Sequence, residues 1–152
     1  MVLSAKVVSL ALILLCYTGQ APRTGQATAR LEFRLAEIEP AEGLEEAAIE
    51  KTGEKVYLHK EIIINNEDIG EARAVESSWS RDFEIEIVFS NRGAEKMARI
   101  SLANTGKRLA IIVDGKVISA PFLRGQIADK AQISGAFTKE AAEELASKIK
   151  SK

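Results

Sequence analysis

The stretch NTGKRLAIIVDGKVISAPFLRGQIADKAQISGAFTKEAAEELASKI, residues 104–149, decides how this chain folds. Within it, two β-prone runs, Leu109 to Val113 and Val117 to Ala120, flank Asp114-Gly115. Asp-Gly between apolar runs is a strong hairpin signal, because both turn positions need φ > 0 and Gly supplies it without strain. After a Gly-bearing loop, Gln132 to Phe137 reads as a further strand that runs into a helix. Thr138 is its N-cap. Ala141, Ala142, Leu145, Ala146 and Ile149 form an apolar stripe opposite Lys139, Glu140, Glu143 and Glu144. Glu144 and Lys148 stand i,i+4 in the favourable order, worth a few tenths of a kcal/mol.

Working upstream, Asn91 to Asn104 predicts a helix with Ala94, Met97, Ala98 and Ser101 on one face, closed by Thr105-Gly106. Asp82 to Phe89 alternates Phe83, Ile85, Ile87 and Phe89 with Glu84 and Glu86, the period of a half-buried strand. It pairs with Ala72 to Glu76 across a turn containing Ser77 to Arg81. Asn65 or Asn66 caps a short helix running to Gly70. Lys55 to His59 and Leu31 to Leu35 complete the strands. The six acids from Glu37 to Glu50, with no Lys or Arg among them, read as a solvated connecting segment or helix face. Hairpin-joined strands with one polar face imply an α+β fold, an antiparallel or mixed sheet covered by helices on one side.

Composition narrows the function. At 152 residues and net −1, the chain has room for one domain and carries no electrostatic footprint for nucleic acid. Residues 1–29 read as a signal peptide and flexible leader, and 30–152 as the domain. Lys6 precedes Val7 to Leu15, an apolar run broken only by Ser9. That is far short of the ~20 residues that span a bilayer, so an exported, envelope or periplasmic protein is expected. Ala27-Thr28-Ala29 and Gly19-Gln20-Ala21 are alternative cleavage points. Cys16 follows the apolar run where a lipidated cysteine sits, although Leu15 occupies a position that normally holds a small residue. No second Cys is present for a disulfide.

The chemistry that catalysis needs is missing from the motifs. His59 is the only histidine, and a lone imidazole makes neither a zinc site nor a nucleophile–base pair. There is no Gly-x-Ser-x-Gly elbow and no P-loop, so no catalytic residue, metal or cofactor is assigned. Asp114 and Gly115 are assigned to a structural turn. The loop after the hairpin is the candidate working surface: Pro121, Phe122, Leu123 and Arg124 put apolar side chains at a strand edge, where an extended polypeptide can add as a strand. Trp79, in a Ser-rich turn, is a second contact candidate.

The runs GKRLAIIVDGKVISAP, QISGAFT and EAAEELA together resemble the head subdomain of the first periplasmic domain of the SecD protein-export family. FSNRGAEKMARISLANTGKRLA and VYLHKEIIINNEDIGEARAV are similar to that family too, so the likeness runs from about Leu31 to Ile149. The resemblance implies a ferredoxin-like arrangement and a head that contacts emerging polypeptide or translocase components without catalysis. It also implies that the family's membrane region and proton path are not in this chain, and that its base subdomain is reduced to the strand near Leu31 to Ala36. A small extracytoplasmic hydrolase, or the same fold reused for another ligand, are the alternative readings.

Overall fold

The computed structural model describes residues 28–150. The leader, with both cleavage alternatives and Cys16, falls largely or wholly outside them, and no helix among the described residues is long and apolar enough to cross a membrane.

Two sheets form, where the sequence predicts one. The larger is ordered β2 (Glu45–Ala48), β3 (Lys55–Leu58), β1 (Leu31–Glu37), β7 (Arg108–Val113), β8 (Lys116–Ser119), with β4 (Ile64–Asn65) also on β1. The smaller is β5 (Ile69–Glu76), β6 (Phe83–Phe89), β9 (Lys130–Phe137). Every pairing between these strands is antiparallel. The split arises because β7 is apolar on both faces and β1 carries, opposite its apolar face, Ala36 and the buried, ion-paired Glu32, so the two sit between two cores rather than at the surface of one. Leu31, Phe33, Leu109, Ile111 and Val113 face the main core, while Ala36, Ala110 and Ile112 face a smaller one with Ile49, Val56, Leu58 and Val117. The larger sheet curls around that second core until Ile49 bridges Val117, where the Glu50 N–H donates to the Val117 carbonyl at 2.8 Å. The acidic segment is therefore not a mere connection. It contains β2, whose glutamates project to solvent while Ala47 packs on the second core.

The main core closes under the three-stranded sheet and both helices. Ile85, Ile87 and Phe89 of β6 alternate inward with Ile133 of β9, and Phe33 meets Phe89 edge-on at a centroid distance of 6.1 Å. Helix α2 (Lys139–Lys150) lays Ala142, Ala146 and Ile149 into this core, the small side chains allowing close approach to β5. Helix α1 (Asn91–Ala103) starts at Ser90, whose Oγ accepts the Gly93 N–H, and buries Met97. Leu102, near its C-terminal end, is exposed. The short helix expected before Gly70 is a 3-10 turn, Asn66–Asp68, with a reciprocal Asn65–Asp68 capping box.

Candidate functional site

The β7–β8 hairpin sets one end of the candidate surface. Asp114 and Gly115 carry φ of 50° and 82°, the left-handed pair a two-residue turn needs. Asp114 also accepts the Arg30 N–H at 2.8 Å and donates its own N–H to the Arg30 carbonyl, fastening the turn to the start of β1. Past β8 the chain keeps following β7. Leu109 N–H donates to the Pro121 carbonyl and Leu123 N–H to the Lys107 carbonyl, at 2.9 and 2.8 Å.

That ladder sorts the four predicted contact residues. Pro121, Phe122 and Arg124 are exposed, whereas Leu123 retains 3% of its surface and belongs to the main core. Leu123 is thus corrected from contact residue to core plug: alternation along a strand points it opposite to Phe122. Phe122, 48% exposed, stacks one ring face on the Arg108 guanidinium at 5.1 Å. Arg108 is held in turn by Glu54 through two bonds of 2.5 and 3.2 Å and by the Ala120 carbonyl at 2.7 Å. This ion pair holds the Glu54 carboxyl below the usual range. The exposed ring therefore rests on a fixed support.

Trp79, 94% exposed, crowns the β5–β6 hairpin. A groove of about 530 Å³ links that hairpin to the β7–β8 region, lined by Ser80, Asp82 and Glu84 on one side and Arg108, Ala120 and Pro121 on the other. Along its β9 wall Phe83 opposes Phe137 while Glu84 opposes Ser134, so Gly135 and Ala136 bulge out. Ala136 takes φ of 49°, a left-handed conformation that costs a non-glycine residue on the order of 1–2 kcal/mol. Glu84 accepts hydrogen bonds from Ser77 and Ser134 Oγ at 3.0 and 3.1 Å. Sequence reasoning missed this groove, because its two walls, Ser80 to Glu84 and Arg108 to Pro121, are separated along the chain by α1 and only the tertiary pairing joins them.

His59 finds a carboxylate that sequence distance concealed. Its Nε2 lies 3.0 Å from Glu37 Oε1, which also accepts from Lys107 Nζ at 3.0 Å. His59 and then Lys107 hold the Glu37 carboxyl below its ordinary range. No hydroxyl hydrogen-bonds the imidazole among the described residues, so the pair ties the end of β1 to β3 and β7 without assembling a nucleophile and base. Nor do the described residues contain a group of three or more ligands fit for a metal.

The described residues thus form an α+β domain with exposed aromatics, one of them on an ion-paired frame, beside an open polar groove. The family model for the SecDF P1 head subdomain matches residues 41–152, and the chain belongs to the SecD/SecDF family. It is 33% identical over 112 residues to protein translocase subunit SecD of Elusimicrobium minutum, covering 74% of this chain and 23% of that one. It is likewise 33% identical over 124 residues to SecD of Sebaldella termitidis, covering 81% and 26%. A crystal structure of SecDF in a super-membrane-facing form superposes with a TM-score of 0.66 at 27% identity, over 80% of this chain and 18% of that one. The chain spans about a quarter or less of the curated relatives it matches.

Proposed function

We propose that residues 30–152 act as a non-catalytic, exported or periplasmic head that contacts an emerging polypeptide or a component of the protein-export machinery. The observation that carries this reading is the position of the exposed apolar side chains. β5 leaves the 3-10 turn at Ile69 and reaches the Trp79 turn eight residues later, roughly 25 Å at the rise of a strand. On the larger sheet Leu31 pairs with Val113 and Ala36 with Arg108, so Phe122, bridged to Arg108, lies at the end of β1 away from Leu31. Ser80 and Pro121, the chain neighbours of Trp79 and Phe122, line one groove. Large exposed aromatics with one polar edge suit transient, sequence-tolerant contact with unfolded chains. The relatives' names, protein translocase subunits, favour an export partner.

The test is a photo-crosslinking scan in cells from positions 79, 122 and 124. Crosslinks to several exported chains or to translocase components are expected from 79 and 122. Phe122→Ser should cut the yield from position 79 several-fold while costing about 1 kcal/mol or less of stability, since it loses chiefly a partly exposed cation–π contact. Equal yield in the folded variant would sink the reading.

A further inference from the structure

The three-stranded sheet ends in an open edge. β9 pairs with β6 alone, and beside it lies the groove whose far wall holds Arg108, Ala120 and Pro121. The ladder fixes which main-chain groups of β9 are free. Phe89 N–H donates to the Asp129 carbonyl at 2.9 Å, and hydrogen-bonded pairs alternate along an antiparallel ladder. Ala131 and Ile133 therefore turn their N–H and C=O groups to β6, while Lys130, Gln132 and Ser134 turn theirs away from it. All three are exposed, and Gln132 and Ser134 line the groove.

Sheets commonly guard such edges with prolines, charges or bulges. Here the bulge at Gly135 and Ala136 blunts only the far end of β9. The opposite wall offers little to pair with. Pro121 has no N–H, its carbonyl accepts the Leu109 N–H, and the Ala120 carbonyl accepts Arg108 Nε.

The outer face of the sheet adds a charge. Glu84, paired across the ladder with Ser134, accepts two hydroxyls on Oε1, and among the described residues no cation pairs with it. Its neighbour Glu86 is already taken by Arg73. A strand added to β9 would lie about 10 Å from β6, two strand spacings, with only the small Ser134 between. A lysine or arginine side chain crosses that gap, and a short side chain does not.

We propose that β9 receives an extended polypeptide as a fourth, antiparallel strand, bonded to Gln132 and Ser134, with a basic side chain of that strand reaching over Ser134 to Glu84. The intervening side chains then meet the apolar groove residues Ile118 and Ala120. The inference rests on the reading that this head meets polypeptide; it names how the chain is held and favours segments that alternate basic and apolar residues.

Titration of the full chain with a labelled twelve-residue peptide alternating valine and lysine, read by anisotropy and by amide exchange, tests this. Binding should slow exchange at Gln132 and Ser134 at least about threefold and leave the β5 edge unchanged. In an antiparallel addition the guest residues that bond β9 carry the side chains lying over Ser134. N-methylation of the lysines should thus weaken binding about tenfold or more, and N-methylation of the valines less than about threefold. Glu84→Gln should weaken binding roughly threefold, the effect of one exposed ion pair. No binding, equal effects of the two methylations, or protection confined to another edge would overturn the strand addition, and unchanged affinity in Glu84→Gln would overturn its basic preference. These outcomes are separable from the crosslinks at positions 79 and 122, whose absence would sink the contact reading even if the peptide paired with β9.

Discussion

Gly93→Ala is expected to destabilise the fold by at least about 3 kcal/mol, the range reserved for backbone overpacking. In an exposed helix the same change would stabilise by about 1 kcal/mol, because alanine is the better helix former. The sign reverses here because a Cβ at position 93 would lie 2.2 Å from the Asp68 carbonyl oxygen and 3.0 Å from its carbonyl carbon. That carbonyl cannot swing aside cheaply. It accepts the Ser90 N–H at 2.8 Å, so the same helix that would carry the methyl holds its target in place. Moving α1 outward would also pull Arg92 and Lys96 off the buried Asp68 carboxylate. A urea unfolding curve of the variant should show a midpoint well below that of the parent with an unchanged slope. A midpoint equal to or above the parent would mean that α1 does not rest on the 3-10 turn.

Gly93 also marks the boundary of what the sequence makes legible. The helix around it is plain from Met97 and Ser101, but nothing local says that a second segment presses on its first turn. Periodicity reports which face is apolar and not what covers it. The same limit explains the sheet. Phe83 to Phe89 alternates and was assignable to one buried face, whereas Leu109 to Val113 is apolar throughout and is compatible with any strand buried on both sides. Its neighbour β1 alternates in sequence, Leu31, Phe33 and Leu35 against Glu32 and Arg34, yet Glu32 is buried on the face of the second core, paired with Arg30 and Arg34. A buried ion pair reads as a solvent-facing glutamate, and the second core disappears from view. A ferredoxin-like sheet would set its strands side by side under both helices. Here α2 packs on β5, β6 and β9, while β1 and β7 belong to the curled sheet.

The candidate surface divides along similar lines. Hydrophobic residues after a hairpin drew attention to Pro121 through Arg124, and the ladder to Lys107 decides which of them face solvent. Phe122 emerges because Leu123 is buried; the two cannot share a side of an extended segment. The stacked Arg108 could not be foreseen, since Glu54 and Arg108 are brought together by the curl of the larger sheet. β1 precedes the residues matched by the head model, yet it is the central strand between β3 and β7. The larger sheet is therefore completed by a strand from outside the matched segment.

Asp68→Asn should cost about 2 kcal/mol at neutral pH, and the cost should fade in acid. Burial pushes the Asp68 carboxyl up, but bonds from Lys96, Arg92 and the Asn65 N–H outweigh it and leave it below the ordinary aspartate value. A carboxyl lowered in the folded state stabilises the fold above its unfolded value, and that contribution drains away as pH falls through the folded one. Removing one partner of a buried ion pair typically costs 3–5 kcal/mol; about 2 is expected here because Arg92 stays largely hydrated and Lys96 partly so. Asparagine preserves the shape and one acceptor, so the difference isolates the charge. Parent and variant should be far apart in urea midpoint from pH 7 down to about 4, where an unfolded aspartate begins to protonate, and should converge only below that, as the folded carboxyl protonates in turn. A gap that keeps its size well below pH 4, through the lowered range in which the folded carboxyl protonates, would mean that packing, rather than the carboxylate charge, makes Asp68 necessary, and the electrostatic account of this joint would fall.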